Sequence, residues 1–132
     1  MERSLMKYLR NALVNAKDNI FDVDEFRDEL HLYLLRIIDA LISKGRVCDA
    51  SKVSRMLDSA YYGGGAMMFI GYALSVLCTQ RQTPYTIDDV RKAIERATKL
   101  IHCLQKCRYE CTSEECVKRR DKCRYECFRN YG

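Results

Sequence analysis

Apolar residues recur at helical spacing along most of the chain, and no segment sustains the period-two alternation of a strand. Leu5, Leu9, Ala12, Leu13 and Ala16 follow the i, i+4, i+7 rule and predict a first helix over residues 3–17. On its other side Arg3, Lys7, Arg10 and Lys17 fall within about 80° of one another. Asp22 and Glu25 form a capping box for a second helix, whose inward stripe is Phe26, Leu30, Leu34, Ile37 and Leu41. Gly45 ends that helix, since glycine adopts the left-handed conformation that a C-terminal cap requires. A third helix begins after Asp49, with Val53, Leu57 and Ala60 inward and Lys52 and Arg55 on the polar side.

From Ser59 to Gln80 the chain carries no charge, a run of 22 residues that meets the length criterion for a membrane span. Gly63, Gly64 and Gly65 near its start, the pair Tyr61 and Tyr62, and the polar Ser75 and Thr79 read better as a turn followed by a buried central helix. A membrane partner is therefore disfavoured. Thr86 caps the next helix, with Asp88 and Asp89 in the first turn where the helix dipole favours carboxylates. Val90, Ile94, Ala97, Ile101 and Leu104 face the core from it.

Six of the eight cysteines lie in the last thirty residues, and the word Lys-Cys-Arg-Tyr-Glu-Cys occurs twice, at 106–111 and 122–127. Cys103, Cys107 and Cys111 advance about 40° per step on a helix, and Cys116, Cys123 and Cys127 stay within roughly 20° of one line. Each segment is thus expected to carry a stripe of sulfur. Between them Thr112 and Glu115 read as a capping box, so the chain is expected to reverse into an antiparallel helical hairpin. Sulfurs equally far from the turn can meet, which gives Cys103 with Cys127, Cys107 with Cys123 and Cys111 with Cys116. Pairing Cys111 with Cys123 and Cys107 with Cys127 is also symmetrical, and spacing alone leaves both open. Cys48 and Cys78 are each 15 residues from Gly63, so a turn there brings them together. The competing chemistry is zinc held by thiolates from facing helices, although six sulfurs in line exceed the four of a tetrahedral site.

These elements add up to an all-α fold, a compact bundle of five to six helices in a single domain over residues 1–132. Residues 1–47 hold the basic helix and the long amphipathic helix, 48–80 the glycine-interrupted apolar helices, and 86–132 the cysteine-rich hairpin. Pairing of all eight cysteines indicates an oxidising compartment or a hyperthermophile, whose intracellular proteins keep disulfides. Met1 to Leu5 lead straight into an amphipathic pattern without the apolar core of a secretory leader, which favours the second.

Candidate chemistry for catalysis is sparse. His31 and His102 are isolated in helical patterns and read as boundary residues, and no phosphate loop, dinucleotide fingerprint or Ser-His-Asp set is present. The expectation is a non-enzymatic protein with no cofactor. Lys and Arg number 23 against 18 acids, a surplus of +5. Beside the line Arg3, Lys7, Arg10 and Lys17 there is a second cluster, Lys118, Arg119, Arg120, Lys122 and Arg124, interleaved with Tyr109 and Tyr125. Such helix-borne cations suit phosphates, and the absence of a base-reading module implies binding by backbone and shape. Arg3, Lys7, Arg10, Lys17, Lys52, Arg55, Arg119 and Arg120 are the expected nucleic-acid contacts.

Two resemblances bear on this. The segment 58–74, with its run of glycines between aromatics ahead of a core helix, and the layout of a basic N-terminal helix before a helical bundle resemble the coat proteins of archaeal filamentous viruses. That resemblance implies subunits, homo- or hetero-oligomeric, that wrap double-stranded DNA without sequence preference inside a virion, with Arg3, Lys7, Arg10 and Lys17 against phosphates. The eight cysteines and many acids depart from that pattern. The spacing Cys107-x3-Cys111-x11-Cys123-x3-Cys127 resembles the twin Cys-x3-Cys chaperones of the mitochondrial intermembrane space, which implies a helical hairpin that binds protein partners. A zinc-binding regulator is the third expectation.

Overall fold

The computed structural model describes residues 23–59, 65–79 and 82–132. They form five helices and no strand: α1 (Val23–Ser43), α2 (Val47–Ser59), α3 (Gly65–Cys78), α4 (Ile87–Lys106) and α5 (Glu114–Tyr131). The expected helix over residues 3–17, the cap at Asp22, and Ala60 with the turn at Gly63 and Gly64 lie outside the described residues.

α1 stops where glycine permits it. Gly45 has φ of 74°, its N–H donates to Ile42 O at 3.0 Å, and the Arg46 N–H donates to Leu41 O at 2.9 Å. This pair of bonds is a Schellman cap, which satisfies carbonyls the helix leaves open. The chain restarts at once: the Arg46 carbonyl accepts from the Ala50 N–H at 3.1 Å, and the Arg46 side chain meets Asp49 at 2.8 Å. α2 therefore begins at Val47 rather than after Asp49.

α1, α2, α3 and α4 share one core, in which α1 packs against both α2 and α4, and α3 against both α2 and α4. Double coverage shifts the buried stripe of α1. Leu30 and Leu34 are buried as expected, but Ile37 and Leu41 only flank the core, and Leu35, Ile38 and Ile42 occupy it instead. His31 is fully buried on this face rather than lying at a boundary, whereas His102 is exposed. A helix covered from two sides needs an apolar arc wider than one stripe.

α3 is the apolar helix foreseen in the charge-free run, with Ala66, Met67, Ile70, Ala73 and Leu74 buried, but it is not a buried central element: it packs against α2 and α4 and leaves Met68 and Tyr72 exposed. Among the described residues no helix is long and apolar enough to cross a membrane. α4 carries a complete capping box: the Asp89 N–H donates to Thr86 Oγ1 at 3.2 Å, and the Thr86 N–H donates to Asp89 Oδ2 at 2.9 Å. Its inner face, Val90, Ala93, Ile94, Ala97, Leu100, Ile101 and Leu104, is buried throughout.

Candidate functional site: the stapled hairpin and its basic face

α5 lies against α4 in a small second core made of Leu100, Leu104, Cys107 and Cys127, with Cys103, Cys123, Phe128 and Tyr131 packed around it. Cys127 is the one fully buried residue of α5. A helix with so little apolar area cannot be held by burial alone, at roughly 25 cal/mol per Å². Covalent bonds hold it: Cys103 joins Cys127 and Cys107 joins Cys123, with Cα separations of 5.7 and 5.6 Å. Of the two symmetrical arrangements the spacing allows, the structure takes this one. At the far end of α5 the Arg96 guanidinium donates to Tyr131 O at 3.2 Å, and Gly132 lies beside Gly65 at the start of α3.

The turn of the hairpin differs from the expectation in two respects. α4 ends at Lys106, so Cys111 is not on a helical stripe but in the link that follows, where it bonds Cys116. The N-cap of α5 is Ser113 rather than Thr112: its Oγ accepts from the Cys116 N–H at 3.2 Å, and Glu115 pairs with Arg119 instead of reaching back. Either hydroxyl could cap by its chemistry. The Cys111–Cys116 crosslink closes over these residues, and its position selects the later start. A fourth disulfide, Cys48–Cys78 with Cα atoms 4.8 Å apart, joins the start of α2 to the end of α3. None of the eight cysteines is free.

The link is also tied to α1. Arg108 Nε and Nη2 both donate to Asp28 Oδ2, at 3.2 and 2.9 Å, and the Asp28 side chain is almost wholly buried.

The structure distributes the expected cations unevenly. Arg3, Lys7, Arg10 and Lys17 lie outside the described residues. Lys52 and Arg55 are exposed on α2, which packs against α1 and α3. Arg119 pairs with Glu115 at 3.2 Å, and Arg120 is half-buried, with Nε shielded from solvent 3.7 Å from Asp121. The free cations of α5 are others. Lys118, Lys122 and Arg129 are exposed and engage in no ion pair among the described residues. Together with Tyr125, which is 68% exposed, they fall within about 60° on the outer face. Glu114, Asp121, Glu115 and Glu126 border this line. Arg129 was not among the expected cations, although its place four residues after Tyr125 and seven after Lys122 was a readable signal.

Elsewhere, a shallow groove of about 540 Å³ is lined by Asp39, Ser43, Arg91, Ile94, Glu95, Thr98 and Lys99. Arg91 there is engaged with Asp39 at 3.8 Å and with Ser43 at 3.0 Å. On α3, Met68 and Tyr72 are each 62% exposed, and the Phe69 and Tyr72 rings meet Tyr85 edge-on at 5.0 and 5.8 Å. This leaves an apolar, aromatic strip on the outside of the bundle.

Comparison of the chain with known protein families, with characterised proteins and with solved structures finds no match.

Proposed function

We propose that the protein is a non-enzymatic structural subunit that assembles with copies of itself or related chains and coats double-stranded DNA through phosphate contacts, as coat subunits of filamentous archaeal viruses do. The observation that carries this reading is the line Lys118, Lys122, Tyr125 and Arg129 on the outer face of α5. The cations have no competing acid within ion-pair distance among the described residues, and the helix bearing them is fixed by two crosslinks. Phosphate binding needs such charge and little else, because most contacts to duplex backbone position a protein without reading sequence. The exposed strip of Met68 and Tyr72 supports the assembly part of the proposal, as apolar surface of this kind is commonly covered by another chain.

A second reading, a hairpin chaperone of the twin Cys-x3-Cys type, draws on the two crosslinked rungs between α4 and α5. Retention of duplex DNA measured against salt separates the two. The coat reading expects binding that ignores sequence, weakens steeply with salt, and yields filaments containing polynucleotide in electron micrographs. Particles of single-chain size with no salt-sensitive retention overturn it. Alanine at Arg3, Lys7 and Arg10, compared with alanine at Lys118, Lys122 and Arg129, tells which face carries the contact.

A further inference from the structure

The two rungs of the hairpin are not independent. Cys107 Sγ lies 3.5 Å from Cys127 Sγ, a sulfur of the neighbouring disulfide, and the Sγ atoms of Cys107, Cys123 and Cys127 all lie within 4.8 Å of one another. Cys103 Sγ is one covalent bond from Cys127 Sγ. Three sulfurs are therefore gathered within 4.8 Å of one another, with the fourth, Cys103 Sγ, bonded to one of them, on a bed of Leu100, Leu104, Phe128 and Tyr131. A tetrahedral zinc site with Zn–S bonds of about 2.3 Å sets its sulfurs about 3.8 Å apart along each edge. The contact between Cys107 and Cys127 already has nearly that span.

We propose that the reduced hairpin is a tetrathiolate site for a soft divalent cation of the zinc type, with Cys103, Cys107, Cys123 and Cys127 as the four ligands. The crosslinked and metal-bound forms are alternative ways of fastening α5 to α4. A phosphine or dithiol supplies the electrons. With a phosphine, each of the two disulfides takes up two electrons and two protons, and one water oxygen leaves as phosphine oxide. Binding of the divalent ion to the four thiols then releases four protons and leaves a local charge of −2. The repeated word places Lys106 and Lys122 directly before Cys107 and Cys123, so cations stand next in sequence to two of the ligands. Cys103 lies on α4, Cys107 at its C-cap, and Cys123 and Cys127 four residues apart on α5, so the ligands come from two segments already side by side, and Cys103 Sγ has to turn toward the other three. Cys111 and Cys116 are outside the set, held in the link and at the first turn of α5.

This inference does not depend on the nucleic-acid reading, and its test does not use DNA. The full chain is reduced with a phosphine without oxygen, and Co2+ or Zn2+ is added alone. The expected result is one metal per chain in native mass spectra, intense visible bands of tetrahedral thiolate-bound Co2+, and recovery of amide protection in α5. The variant with Cys111→Ser and Cys116→Ser retains all three, and Cys107→Ser loses the stoichiometric metal. Failure of the reduced chain to hold metal after buffer exchange overturns the proposal. So does retention of the Co2+ bands in Cys107→Ser, which assigns the ion to other thiols.

Discussion

Arg108 and Asp28 are eighty residues apart in sequence, and two guanidinium N–H groups converge on one buried carboxylate oxygen. Through them the link after α4 is fastened to α1, so the stapled hairpin is anchored to the main bundle at the end where it turns. Arg108→Ala removes both donors from a buried charge. The expected loss is about 2 kcal/mol, in the range of hydrogen bonds to charged groups. Chemical denaturation monitored by circular dichroism checks it, and an unchanged midpoint would mean that the anchor carries no weight.

Oxidation state is directly measurable. Four disulfides remove two hydrogens each, so the untreated chain is expected to weigh eight hydrogens less than the reduced one. An unshifted intact mass, with all eight thiols open to alkylation before denaturation, removes the covalent account of the hairpin.

Because α5 buries only Cys127 fully, its stability should follow its crosslinks and not the main core. Replacing Cys107 and Cys123 together by alanine is expected to cost about 3 kcal/mol, the loop-closure value for a span of this size. Hydrogen exchange locates the effect: α5 loses protection first while α1 to α4 keep theirs. Uniform loss across all five helices contradicts the two-core description.

The capping box at the start of α4 is worth a smaller, local amount. Thr86→Ala deletes the acceptor of the Asp89 N–H and should cost about 1 kcal/mol. Thr86→Ser keeps the acceptor and should stay near wild type. Equal losses in the two variants would point to the Thr86 methyl group and not to the cap.

Phosphate binding has a salt signature. Alanine at Lys118, Lys122 and Arg129 together should reduce the slope of log affinity against log salt by about 2 to 3, at roughly 0.9 for each phosphate no longer neutralised. Arg119→Ala, which removes a cation already paired with Glu115, should change it by less. The slopes come from DNA retention titrated across a salt series, and an unaltered slope in the triple variant rules out this face.

Local chemistry made much of this architecture readable in advance. The stop at Gly45, the cap at Thr86 and the inner face from Val90 to Leu104 depend on backbone conformation and helical period, which short stretches of sequence specify. So does the common offset of the cysteine pairs, since a repeated Cys-x3-Cys on two antiparallel helices can meet only at matching distances from the turn. The pairing of Arg119 with Glu115 ran against the expected capping role of Glu115, although the spacing of four residues is one at which such pairs form.

Packing decided what spacing left open. Coverage of α1 from two sides buried His31 and moved Ile37 and Leu41 to the margin of the core. Departure of the chain from α4 at Lys106, with Arg108 drawn to Asp28, took Cys111 off the helix, and the cap of α5 fell at Ser113, inside the Cys111–Cys116 crosslink. A sequence fixes which groups lie on one face of a helix, since that is a matter of period. Which faces are covered, and which of two equally spaced sulfurs becomes the partner, depends on how helices distant in the chain settle against one another, and only the folded molecule holds that information.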